Sequence, residues 1–164
     1  MRAVVGWSVV VSLLGLALLA GAAGAQEKKV DVEKLPRAVA DAVKTKFPGA
    51  KLVGASTEKE GDKTVYEVSI KHKGSNIDVT LEPDGKIVSV EKEIAAKDLP
   101  KAVRTALEAK FAGATYKKVE EITKDREVTY EVLLVTSGKK TLEVVFDPKG
   151  KLVKQEEKKE KDKD

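Results

Sequence analysis

The chain has 164 residues, with 31 Lys and Arg against 27 Asp and Glu, a net charge of +4, one histidine and no cysteine. A slight basic excess inside a dense mixture of both signs lacks the clustered basic surface of a nucleic-acid binder. Without cysteine, disulfide staples, thiol nucleophiles and thiolate metal sites are excluded.

Residues 1–25 read as a secretory signal peptide. Arg2 opens the chain, Ala3 to Ala20 is uncharged and mostly apolar, and Ala23-Gly24-Ala25 fits the small-x-small cleavage rule just before the first charges. The competing reading is a retained membrane anchor, because the apolar run approaches the length of a bilayer span. Cleavage after Ala25 would remove Arg2 and leave 26–164 with a net charge of +3. No later stretch is apolar enough to span a membrane, so no membrane contact is expected after cleavage. The protein is therefore expected to be exported, periplasmic or secreted, and held together by packing alone.

The first helix is expected at Leu35 to Phe47. Leu35, Val39, Val43 and Phe47 recur every four residues, with Ala42 beside them, and make one apolar stripe. Pro36 sits where a missing N–H costs nothing, and Pro48-Gly49 stops the helix. The period then changes to two. A weak strand lies around Leu52 to Thr57. Tyr66, Val68 and Ile70 form the next, and Ile77, Val79 and Leu81 the third. After the tight turn of Pro83-Asp84-Gly85-Lys86, Ile87 to Val90 forms a short fourth.

The same text is then written again. At an offset of 64, residues 35–50 and 99–114 share nine identities in sixteen positions. Tyr66-Glu67-Val68 recurs at Tyr130-Glu131-Val132, and residues 77–88 recur at 142–153, where the offset is 65. One extra residue must therefore lie near Ser137-Gly138. The expected fold is α+β: two tandem repeats, each one helix followed by a four-stranded antiparallel meander, with the helices packed on one sheet face. The organisation is 1–25 signal peptide, 26–97 first repeat, 98–155 second repeat and 156–164 disordered charged tail. The short link at 93–98 argues against independent domains. It favours two halves of one compact domain sharing an extended sheet, since one copy alone would have a marginal core.

An exported chain with two copies of this helix, the Tyr-Glu-Val strand, the Pro-x-Gly-Lys turn and a last strand resembles the PepSY-like, β-lactamase-inhibitor-like group. The resemblance covers nearly all of 34–155. It implies a protein-binding or inhibitory role, since PepSY domains occur in the propeptides of secreted metallopeptidases. The inhibitor-like scaffold binds through an exposed concave sheet rich in aromatics and carries stabilising cysteines. Here the predicted open face shows Glu67, Ser69, Lys71, Asp78, Thr80 and Glu82, then Thr129, Glu131, Leu133, Val135, Glu143 and Val145. Aromatic anchors and cysteines are both missing, so β-lactamase inhibition is not carried over.

The residues offer little chemistry. His72 falls in a predicted hairpin turn and reads as an exposed turn histidine rather than a base. Glu82, Asp84 and Asp147 read as turn acids, since the spaced ligand series of a calcium loop is absent. No catalytic residue, metal site or cofactor is expected, and no enzyme activity. The function expected is a non-enzymatic exported binding protein of PepSY-like type. It would inhibit or chaperone another envelope or secreted protein through its open sheet face. The candidate partner-binding residues are Glu67, Lys71, Glu131, Leu133 and Val135. The alternative is a small-ligand or ion-binding envelope module.

Overall fold

The computed structural model describes residues 28–60 and 63–158. The proposed signal peptide and residues 159–164 of the proposed tail lie outside them. Each repeat folds as its periodicity dictates. Helix α1 spans Arg37–Lys46 and is followed by β2 (Lys51–Glu60), β3 (Lys63–His72), β4 (Ser75–Leu81) and β5 (Ile87–Glu93). Helix α2 spans Lys101–Lys110 and is followed by β6 (Thr115–Lys124), β7 (Glu127–Val135), β8 (Thr141–Phe146) and β9 (Leu152–Glu157). A two-residue strand β1 (Lys28–Lys29), absent from the periodic pattern, pairs with β2. The strands form a single antiparallel sheet whose spatial order is the chain order, β1 to β9.

The two meanders are fused. Strand β5 pairs with β6 from Ser89 opposite Lys124 to Glu93 opposite Glu120, so the sheet passes from one repeat to the other without an edge. Both helices lie on one face of it. Val39 and Val43 of α1 pack with Val68, Ile70, Val79 and Leu81. Val103 and Leu107 of α2 pack with Val132, Leu134, Val144 and Phe146. Tyr130 belongs to the second cluster, and its hydroxyl donates to Glu121 Oε2 at 3.2 Å.

The repeated turn has a packing role. Gly85 and Gly150 have φ of +89° and +82°. A Cβ on Gly85 would stand 2.6 Å from the Ala38 carbonyl oxygen, and one on Gly150 would stand 2.5 Å from that of Ala102. The turn is thus pressed against the first turn of the helix, which explains why alanine and glycine recur together. Asp84 Oδ1 accepts from Lys86 N, and Asp147 Oδ1 accepts from Lys149 N and Lys151 N. These acids stabilise their own turns. Bulges recur as well, at Leu52/Gly54 and Tyr116/Lys118, and at Thr80/Leu81 and Val145/Phe146, where they increase the twist of both halves alike. The extra residue lies where the offset requires it. Lys73-Gly74 joins β3 to β4, whereas Thr136 to Lys140 joins β7 to β8, closed by Thr136 N donating to Lys140 O.

Two expectations need correction. Strand β9 runs through Glu157, and Lys158 N donates to Thr141 O, so residues 156–158 are ordered rather than a disordered tail. Charges pair across the strands there, Glu157 with Lys140 and Lys158 with Glu143. His72 ends β3 half-buried, with its ring 5.7 Å from that of Phe47 in edge contact, and is not an exposed turn residue.

Candidate functional site

The second sheet face is built from the residues that alternate with the core. Pairing registers arrange it in rows. One row runs Ser69, Asp78, Glu91, Ile122, Thr129 across β3 to β7. The next runs Glu93, Glu120, Glu131, Val145, Lys154 across β5 to β9, and beside it lie Lys118, Leu133, Glu143 and Glu156. Among the described residues no helix packs on this face.

The face was expected to be polar and solvent-facing. Polar it is, but its central carboxylates are not exposed. Glu91 is 5% exposed, Glu120 2%, Glu131 4% and Glu143 4%. Ile122 and Val145, on the same face, are buried outside both helix-side clusters.

The buried acids differ in their partners. Lys118 Nζ lies 2.7 Å from Glu120 Oε1. Glu143 is flanked by Lys158 Nζ at 2.8 Å and Lys154 Nζ at 3.6 Å. Ser69 Oγ donates to Asp78 Oδ1 at 2.6 Å. Ser89 Oγ, Glu91 Oε2, Glu131 Oε2 and Glu143 Oε1 are buried with no hydrogen-bond partner among the described residues, Lys154 Nζ standing 3.6 Å from the last.

The electrostatics follow. Burial, then the charges of Glu120, Glu131, Glu67 and Asp78, push the Glu91 carboxyl up to about 8. Burial, then Glu143 and Glu120, push Glu131 up to about 7, against the pull of Lys158 and Lys118. Burial raises Glu120 too, with Lys118 opposing. Burial works against the charge on Lys118, yet the hydrogen bond and charge of Glu120 hold its ammonium above lysine's ordinary range.

The five residues singled out from sequence all lie on strands β3 and β7. Leu133 and Val135 are half-buried beside Glu131, Glu67 is half-buried and Lys71 is exposed. They do not form one cluster. Glu67 and Glu131 are four strands apart, about 19 Å across the sheet at ordinary strand spacing, and lie in different rows, Glu67 in line with Glu127. The sequence reading missed Glu91, Glu120 and Lys118, which occupy the space between. Their strands, β5 and β6, form the seam between repeats, and the alternation Ser89, Glu91, Glu93 against Val88, Val90 carries the signal that could have found them. Among the described residues, no three acidic or imidazole side chains are grouped so as to hold a metal ion.

Comparison with known proteins agrees with this architecture. Residues 37–91 match the family described as "Peptidase propeptide and YPEB domain" (PepSY), and residues 83–154 match the PepSY-like family described as "Putative beta-lactamase-inhibitor-like". The chain carries PepSY and PepSY-like domains in tandem. The two matches overlap on β5, the strand at which the repeats join.

Among solved structures, a "putative periplasmic" protein from Bacteroides eggerthii superposes with a TM-score of 0.65 at 20% identity, over 74% of this chain and 88% of that one. A BLIP-like protein from Bacteroides fragilis gives 0.60 at 21% identity, over 74% and 84%. A DUF2874 family protein from Bacteroides uniformis gives 0.64 at 17%, over 74% and 88%. At these identities the likeness is one of fold. No curated protein matches.

Proposed function

We propose that this tandem PepSY protein is a non-enzymatic binding protein of the cell envelope. It restrains or chaperones an enzyme there through the sheet face opposite its helices. The observation that carries the reading is the set of orphaned polar atoms on that face, Ser89 Oγ, Glu91 Oε2, Glu131 Oε2 and Glu143 Oε1. A buried polar group without a partner costs about 1–3 kcal/mol, more when it is charged. A face that tolerates several of them is suited to a partner that completes them. Support of a weaker kind comes from fold: the B. fragilis protein is BLIP-like, the B. eggerthii protein is described as periplasmic, and the first matching family is named for peptidase propeptides.

The test is a pull-down from envelope extract with chain 26–164 as bait. One control carries Lys71→Glu with Leu133→Ser on the sheet face; another carries Lys44→Glu with Lys110→Glu on exposed helix positions. A protein held by the wild type and the helix variant but lost by the sheet variant supports the reading. Recovery unaffected by the sheet substitutions, or no recovered protein at all, contradicts it.

A further inference from the structure

The sheet-face reading leaves open what chemistry the partner brings. We infer that the partner inserts a lysine or arginine side chain between Glu91 and Glu131, a proposal that rests on the reading above and sharpens it.

Three observations converge. Glu91 and Glu131 are more than nine-tenths buried, and each has an Oε2 without a partner. The charges within reach are unbalanced. Glu67, Asp78, Glu120 and Glu131 act on Glu91 against the charge of Lys118, while Glu131 feels Glu143 and Glu120 against Lys158 and Lys118. Both of those lysines are already committed, Lys118 to Glu120 and Lys158 to Glu143 and Glu156. The third observation is the apolar frame. Ile122 stands directly opposite Glu91, Val145 directly opposite Glu131, and Leu133 is the next residue on Glu131's side of its strand.

Acid with apolar walls fits a long cationic side chain. Its methylenes pack on Ile122, Leu133 and Val145 while its head reaches the carboxylates. A bare divalent ion would want several oxygen ligands converging at one point, and no such group exists among the described residues. Removing one partner of a buried charge pair is costly, so the pair forms efficiently when the missing cation arrives.

The test uses chain 26–164 and a ten-residue peptide alternating lysine with valine, with its fully acetylated counterpart. Binding is measured by calorimetry at pH 8 and low salt, and the site is located from methyl signals of Ile122, Leu133 and Val145. The variant is Glu91→Gln with Glu131→Gln, which keeps side-chain size. It removes buried charge, so it is expected to be at least as stable as the wild type at pH 8, and thermal melting confirms that lost binding is not unfolding.

The expected result is saturable binding of the lysine peptide, tenfold or more weaker for the acetylated peptide and for the Gln variant, with the three methyl groups shifted. Equal binding by the Gln variant, equal binding of the acetylated peptide, or a lysine peptide that leaves those methyls unmoved would overturn the proposal. So would calcium or magnesium shifting the same methyls while the peptide does not, or self-association as the only event. An envelope partner lost by the Lys71/Leu133 variant yet fully retained by the Gln variant would overturn the cation proposal and leave the sheet-face reading standing.

Discussion

At the residue scale, Gly85 and Gly150 decide whether turn and helix can meet. Both have left-handed φ, and both would place a Cβ against a helix carbonyl. Gly85→Ala and Gly150→Ala should each destabilise by ~2–4 kcal/mol, read from urea unfolding. Gly138→Ala is the control: its nearest neighbour is Thr136 Oγ1 at 3.8 Å, and it should change stability by less than ~0.5 kcal/mol. Equal effects at all three would remove the close-approach argument. The motif was visible in sequence as a turn; its second role was not, because the contact partner lies some 48 residues away.

Glu91 makes a second residue-scale prediction. Its folded pKa, about 8, lies above the ordinary carboxylate value of 4.5. Between these values the folded state holds a proton that the unfolded chain has released, so stability is full below 4.5 and is lost as pH rises through 8. Glu131 acts in the same sense between 4.5 and about 7. Glu156 is lowered, first by its hydrogen bond with Lys154, so its contribution is lost only as pH falls below the ordinary carboxylate range, outside this window. Glu91→Gln should therefore raise stability by ~2–4 kcal/mol at pH 8 and by little at pH 4.5. A difference that does not grow with pH would contradict the buried-charge account.

At the element scale, the helices were legible because a period of four apolar residues leaves no other reading. The same stripe gives the prediction. Leu107 is fully buried between α2 and the second cluster. Leu107→Ala should cost ~2–5 kcal/mol, while Lys44→Ala on the exposed side of α1 should cost less than ~0.5. Chemical denaturation of both variants checks this, and comparable losses would refute the amphipathic assignment. The strands were legible in type but not in extent. Strands β2, β6 and β9 run on into charged stretches, Lys59-Glu60, Thr123-Lys124 and Glu156-Glu157. Charge hid them because pairing across strands, as between Lys154 and Glu143, replaces the apolar alternation. The buried acids of the second face escaped for the same reason: a glutamate in an alternating strand reads as solvent-facing, and only the registers of β5 with β6 and of β6 with β7 gather Glu91, Glu120 and Glu131.

At the scale of the whole molecule, duplication produces one sheet. The pairing of β5 with β6 and the absence of any edge between the repeats predict a single cooperative unfolding transition. Val79→Ala, in the first repeat, should lower the melting of amide signals from both repeats together; separate melting of the two halves would contradict this. The repeat itself was the plainest feature of the sequence, whereas the seam that turns two copies into one surface depends on pairing between copies and has no counterpart inside either. Of the orphaned carboxylates, Glu91 lies on that seam and Glu131 on β7, the strand beside it. The central claim is that the face opposite the helices binds a partner. The most direct measurement is site-specific photo-crosslinking in the producing cell, with the crosslinker placed at Leu133 or Lys71 on the sheet face and at Lys44 or Glu108 on the helices. The account predicts one discrete heterologous adduct from the sheet positions and none from the helix positions. Adducts from the helix positions alone, or none from either face, would contradict it.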